Sequence, residues 1–166
     1  MSTRPMFRDV DEMNDTIDRN LRERLTSKDD LYILGDVGMG KPEAVIEWLE
    51  SLPFRLHLIH GNHDHRKLRA WSGWRTSVPF LELKTNHRKI VLCHFAMRTW
   101  NRSHYGVTML HGHSHGSLPG NSQSLDVGVD CWDFKPVTLE EIDARLATLP
   151  PFKQEDHHVA SSLDGV

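Results

Sequence analysis

The 166-residue sequence has little cysteine, no long apolar run and no strong net charge, and each absence excludes a class of protein. Two cysteines, Cys93 and Cys131, are too few for a disulfide scaffold and indicate a reducing, cytoplasmic setting. No stretch approaches the roughly 18–20 apolar residues of a membrane helix, and no secretory signal is expected at the N-terminus. A net charge of -3 lacks the basic character of nucleic-acid-binding modules, so neither a membrane nor nucleic acid is the expected partner.

The composition is otherwise that of a globular protein with one unusual feature. Hydrophobic residues make up 38% and charged residues 26% of the chain, which predicts one domain over residues 1–150 and a polar tail over 151–166. Histidine accounts for 12 residues and is clustered, with four between His57 and His65 and three between His111 and His115. Clustered histidine indicates metal binding.

Helices and strands alternate in the hydrophobic pattern. Apolar stripes and helix-start residues predict helices over 10–25, from Pro42, and over 138–149, the last opened by a capping box of Thr138 and Glu141. Short apolar runs predict strands over 31–34, 54–59, 80–83, 89–93, 107–110 and 125–129. The expected class is therefore α/β, or a layered sandwich of sheets and helices.

Four predicted strands end beside a side chain that can bind a metal. These side chains are Asp36, Asn62, His94 and the pair His113 and His115. Ligand sites form beyond the carboxyl ends of strands, and a His-x-His in an extended segment directs both imidazoles to one side. One carboxylate, one amide and three imidazoles suit a catalytic centre for Zn²⁺, Mn²⁺ or Fe, with the carboxylate able to bridge two ions.

The ordered set Gly35-Asp36, Gly61-Asn62-His63-Asp64, His94 and Gly112-His113-Ser114-His115 resembles the calcineurin-like metallophosphoesterases, in particular a small bacterial and phage branch. The resemblance runs from Arg4 to about Ile142. It implies two packed β-sheets flanked by helices, one or two divalent ions (Mn, Fe, Zn or Ni) per chain, and a small phosphate-ester substrate of the phosphodiester type.

The same resemblance implies a role for each site residue. Asp36 bridges the metals, and Asn62, His94 and His113 complete the shell of one ion, while His115 binds the other. The catalytic residues are His63, which stands near the leaving group, and a carboxylate such as Asp64, which orients it.

The sequence departs from the family at its beginning. The family opens with a strand that ends in Asp-x-His, and both residues bind the ion that His115 serves, whereas this sequence has no such segment. The first strand is therefore expected to be missing. Three explanations are open: a start upstream of Met1, a remnant that binds one ion with weak or no activity, or replacement by Asp156-His157-His158 in the tail.

The leading hypothesis is a metal-dependent phosphoesterase in which a metal-activated hydroxide attacks phosphorus and His63 protonates the departing group. A catalytically impaired module that binds one metal ion, or an interaction module, is the first alternative. A weaker alternative is a P-loop-like nucleotide binder, because residues 35–41 match most of that motif's spacing; Pro42, however, has neither a hydroxyl nor an N–H. The histidines His57, His60 and His111 are predicted to be structural.

Overall fold

The computed structural model describes residues 4–85 and 88–153, which form two sheets and four α-helices. The helices are α1 (Val10–Arg24), α2 (Pro42–Glu50), α3 (Arg66–Arg69) and α4 (Leu139–Leu146). The strands are β1 (Asp30–Ile33), β2 (Arg55–Ile59), β3 (Thr76–Val78), β4 (Phe80–Lys84), β5 (Lys89–Cys93), β6 (Thr108–His111) and β7 (Ser124–Asp126).

Parallel pairing brings several strand ends to common edges. The first sheet has the order β1-β2-β3 and is parallel throughout. The second sheet has the order β4-β5-β6-β7, with an antiparallel β4–β5 pair followed by parallel pairs. The carboxyl ends of β1 and β2 therefore meet at one edge, and those of β5 and β6 at another.

Alternation along β1 and β2 divides their side chains between two apolar clusters. One face, including Leu56 and Leu58, packs against Leu21 of α1 and Leu49 of α2. The other face contributes Ile59 to a cluster that also contains residues of the second sheet and of α4, which are Ile90, Leu92, Leu110, Leu125, Ile142 and Leu146. The two sheets thus share a core, and helices cover the outer face of the first sheet.

The mixed α/β class predicted from the sequence is confirmed at this level of detail. The capping box of Thr138 and Glu141 opens α4 as expected. The predicted strand over 125–129 ends earlier, at Asp126, because the Asp126 carboxylate accepts the Gly128 N–H (2.8 Å) and the chain turns into a short 3-10 helix at Val129–Cys131. Neither α3 nor β3 was predicted from the sequence.

The beginning of the predicted polar tail is part of the folded structure. The Phe152 N–H donates to Ser122 Oγ (3.0 Å), and its ring lies 4.9 Å from that of Trp100. The tail hypothesis for Asp156-His157-His158 falls outside the described residues. Of the helices within residues 4–85 and 88–153, none has both the length and the apolar character of a membrane span.

Candidate metal centre

Four of the five predicted metal ligands meet where strands of both sheets end. Asp36 follows β1, Asn62 follows β2, His94 follows β5 and His113 follows β6. Ligand atoms of Asp36, His94 and His113 all lie within 4.8 Å of one another. Side chains that are up to 77 positions apart in the sequence thus come together at one place, as the strand-end pattern predicted.

His94 stands at the centre of this group. Its Nε2 lies 2.9 Å from Asn62 Oδ1, 3.2 Å from His113 Nδ1 and 3.4 Å from Asp36 Oδ2. Two ligands about 2.1 Å from one cation and at tetrahedral or octahedral angles are separated by about 3.0–3.4 Å. The three distances from His94 Nε2 are therefore close to those expected between ligands that share one cation.

A second contact selects the tautomer of the neutral His94 ring. Its Nδ1 lies 2.7 Å from the carbonyl oxygen of Leu34, which can only accept a hydrogen bond. In the neutral imidazole the proton is therefore on Nδ1, and the lone pair of Nε2 points toward Asn62, His113 and Asp36. The His94 side chain is 2% exposed, so water has little access to its ring nitrogens. Divalent cations are commonly held by an imidazole that is oriented in this way.

Glycines allow the backbone to approach the ligands. Gly35 has a φ of 85°, and a Cβ there would lie 2.5 Å from His94 Nδ1. A Cβ at Gly61 would overlap Asp36 Oδ1. Any other residue at either position would displace a candidate ligand.

Asp64 fixes the two loops that carry Asp36 and Asn62. It is 5% exposed, and its carboxylate accepts the N–H groups of Asp36 (3.1 Å), Val37 (3.0 Å) and Gly61 (2.7 Å). The resemblance implied that Asp64 orients His63, but no hydrogen bond joins the two side chains in the described part of the chain. The contacts that the structure does show for Asp64 hold the backbone of the loops that carry Asp36 and Asn62.

His63 lies at the exposed rim of the site. Its backbone N–H donates to Asp36 Oδ1 (2.8 Å), so the other oxygen of Asp36 is the one that faces His94. This division of the two oxygens holds Asp36 in one orientation. The left-handed backbone of Asp36, with a φ of 55°, is supported by the same set of contacts.

His115 is not part of the cluster of Asp36, His94 and His113, although it lines a cavity together with His113. We expected strand alternation to place the two imidazoles on one side. The expectation assumed an extended segment, whereas His113 and His115 have left-handed φ values of 65° and 48°. The alternation of a strand therefore does not apply. His115 Nδ1 instead lies 2.7 Å from Asp130, and its side chain is 52% exposed.

Asp130 links His115 to the start of the described chain. Its carboxylate receives two hydrogen bonds from Arg4, at 2.6 and 2.8 Å. Burial would by itself raise the pKa of Asp130, but the bonds to Arg4 and His115 outweigh it and lower the pKa. Asp130 is thus ionised at neutral pH and holds His115 through its Nδ1.

Asp126 was not predicted as a site residue. It is 5% exposed, and its carboxylate accepts the Ser114 hydroxyl (2.8 Å) and the Gly116 N–H (3.0 Å), which belong to the loop that carries His113. Asp126 supports this loop as Asp64 supports the loops of Asp36 and Asn62. An aspartate at the end of an apolar strand, near a glycine, is the same pattern that identified Asp36.

The histidines predicted to be structural have partners outside the cluster. His57 Nε2 lies 2.9 Å from Asp30, His60 Nε2 lies 2.9 Å from Ser77 Oγ, and the Nδ1 of His111 lies 3.0 Å from the carbonyl of Gly112. Burial, followed by the nearby charge of Arg69, lowers the pKa of His60.

Comparison with known proteins supports the fold and names no activity. No family model matches the chain. The sequence is 29% identical over 145 residues to an uncharacterized protein of Methanocaldococcus jannaschii, covering 82% of this chain and 76% of that protein. It is 26% identical over 176 residues to the Gene 66 protein of Mycobacterium phage L5, covering 86% and 84%.

One solved structure is similar over most of its length. It is the crystal structure of a protein of unknown function from Aquifex aeolicus, with a TM-score of 0.65 and 21% identity, covering 87% of this chain and 90% of the other. At this identity the likeness concerns the α/β fold alone.

Proposed function

We propose that this protein is a metal-dependent phosphoesterase that hydrolyses phosphate ester bonds, with phosphodiesters as the preferred class. The observation that carries the proposal is the convergence of four side chains at the strand ends. Ligand atoms of Asp36, Asn62 and His113 lie 2.9–3.4 Å from Nε2 of His94. A mixed oxygen and imidazole set without thiolate is typical of catalytic centres for Mn²⁺, Fe or Zn²⁺. We propose in addition that the two sheets form a sandwich of the metallophosphoesterase type.

The residues of the chain fit a divalent cation. Asp36, Asn62, His94 and His113 would hold it, and the hydrogen bond from Nδ1 of His94 to Leu34 keeps Nε2 available as a donor atom. When bound, the cation supplies positive charge that lowers the pKa of water and stabilises charge on phosphoryl oxygens. The buried carboxylates Asp64 and Asp126 hold the loops in place, so the ligands need little rearrangement.

His63 is the proposed proton donor to the leaving oxygen. It is exposed at the rim, and its backbone N–H is tied to Asp36 Oδ1, which keeps it beside the site. Histidine is the side chain that most often transfers a proton to or from a reacting group in enzymes. Because Asp64 is committed to backbone amides, His63 acts in this proposal without a carboxylate partner.

A second candidate function is a module that binds a single metal ion without turnover. The observation that favours it is the separation of His115, which is bonded to Asp130 and lies outside the cluster of Asp36, His94 and His113. In a phosphoesterase that needs two ions, His115 would bind the second ion, and it is not part of this cluster. The nucleotide-binding alternative has less support, because Pro42 occupies the start of α2 and offers no N–H to a phosphate.

The decisive experiment measures Mn²⁺ binding and hydrolysis of an activated aryl phosphodiester on the same preparation. Binding with turnover supports the phosphoesterase, and binding without turnover supports the module. Absence of both contradicts the metal-centre proposal. His113→Ala is expected to reduce both quantities, whereas the control His65→Ala, which removes an exposed imidazole outside the cluster, is expected to leave Mn²⁺ binding unchanged.

A further inference from the structure

An open cavity of about 480 Å³ adjoins the candidate metal centre on the side of His113 and His115. Its polar lining consists of these imidazoles and two serines. Its apolar wall is formed by three side chains: Phe95, Ala96 and Leu118. A group bound at the metal centre through His113 would therefore have apolar surface beside it.

Phe95 connects the wall to the ligands. Its ring centroid lies 4.9 Å from that of His94 and 4.6 Å from that of His113, in edge-on arrangements. The residue is nevertheless 46% exposed, so part of its surface remains free. Because the ring touches two ligand imidazoles, a molecule that contacts the ligands from the cavity also contacts Phe95.

Leu118 extends the apolar surface across the cavity. It lies in the loop that follows Gly116 and is also 46% exposed. The cavity therefore presents two large, partly exposed apolar side chains beside polar groups. A surface of this kind binds an apolar ligand group. Neither side chain offers a hydrogen-bonding group to a polar substituent.

We propose that this wall binds an aromatic or similarly flat apolar ester substituent of the substrate. The inference rests on the proposed function, because it requires the phosphoryl group to bind at the cluster of Asp36, His94 and His113. With the phosphoryl group there, the ester substituent enters the cavity and packs between Phe95 and Leu118. Aryl phosphate esters are then preferred to esters of small alkyl or polyhydroxy groups.

A binding experiment that needs no turnover tests this preference. The Mn²⁺-loaded protein is titrated calorimetrically with phenylphosphonate and with methylphosphonate, which share the same charged group. Burial of about 55 Å² of ring surface predicts about tenfold tighter binding of phenylphosphonate. Leu118→Ser is expected to reduce this ratio to about threefold or less, and Phe95→Ala is expected to reduce it in the same direction.

The control is Val10→Ser, which removes an apolar side chain of similar exposure (49%) on α1, outside the cavity. It should leave the ratio unchanged. Phe95 contacts His94 and His113, so the Mn²⁺ affinity of Phe95→Ala is also measured. If that affinity falls, the phosphonate ratio of Leu118→Ser alone decides the test. Equal affinity of the wild type for both phosphonates, or a tenfold ratio that survives both cavity substitutions, overturns the inference alone. Failure of the wild type to bind Mn²⁺ or either phosphonate overturns both this inference and the proposed function.

Discussion

The substitution Asp64→Asn replaces one carboxylate oxygen by an amide nitrogen in a place where three neighbouring groups are N–H donors. The carboxylate is 5% exposed and accepts from Asp36, Val37 and Gly61 at 2.7–3.1 Å. Asparagine keeps one acceptor oxygen, so at least one of these N–H groups faces another donor. No rotation of the side chain removes this conflict, because both ends of the carboxylate are in use.

The size of the effect follows from the hydrogen bonds that the substitution removes. A buried hydrogen bond to a charged acceptor is worth about 1.5–3 kcal/mol, and an unsatisfied buried donor adds a cost of its own. We expect Asp64→Asn to lower the free energy of unfolding by about 3 kcal/mol. Because the affected loops carry Asp36 and Asn62, Mn²⁺ affinity should fall by about 10- to 100-fold, as for other residues that position metal ligands.

Urea unfolding of the metal-free protein and calorimetric titration with Mn²⁺ measure the two quantities. Asp30→Asn is the matched control, because Asp30 lies at the opposite end of β1 and binds Arg55 and His57. It should lower stability and leave Mn²⁺ affinity unchanged. The reasoning is refuted if Asp64→Asn retains wild-type stability and Mn²⁺ affinity while turnover falls, since that pattern is the one expected if Asp64 acts on His63.

Three further substitutions test other parts of the account. Gly61→Ala should destabilise the protein by at least about 2 kcal/mol and abolish Mn²⁺ binding, because the new Cβ overlaps Asp36. The control Gly40→Ala has open space around its Cβ. It should change neither the free energy of unfolding nor the Mn²⁺ affinity appreciably in the same unfolding and titration assays. His63→Ala should lower turnover of an aryl phosphodiester by about 10²-fold at saturating Mn²⁺, and an unchanged rate removes it as the proton donor. Hydrogen bonds from Arg55, then His57, lower the pKa of Asp30 in the folded protein. The carboxylate therefore contributes fully to stability above about pH 4, and this contribution is lost as the pH falls further. Asp30→Asn should flatten the dependence of Tm on pH below that value, and an unchanged slope would contradict this assignment.

The sequence predicts those site residues that directly follow an apolar strand. Asp36, Asn62, His94 and His113 each follow an apolar strand, and parallel strands bring their carboxyl ends together. The pattern therefore predicted which side chains meet without knowledge of the tertiary structure. The clustering of these residues in the structure agrees with that expectation, whereas their chemistry remains a proposal.

The orientation of His115 depends on backbone angles that sequence spacing does not report. The left-handed φ values of His113 and His115 break the alternation on which the expectation relied. Asp130, the partner of His115, lies 15 positions away and is held in turn by Arg4, which is 126 positions from Asp130. A contact of that range has no local signature.

The short elements were missed for a related reason. The four residues of α3 and the three residues of β3 are too few to show a helical or alternating period. At the end of β7, by contrast, the alternation of Val127 and Val129 continues past the strand, and the side chain of Asp126 ends it by accepting the Gly128 N–H. A side-chain bond to the backbone here overrides the hydrophobic pattern.

The central claim is that one divalent cation is shared by Asp36, Asn62, His94 and His113. An anomalous difference map at the manganese edge, from crystals grown with Mn²⁺, tests it most directly. A peak is expected about 2.0–2.3 Å from His94 Nε2, His113 Nδ1 and an oxygen of Asp36. A map with no peak between these side chains, at a Mn²⁺ concentration that saturates binding in solution, would contradict it.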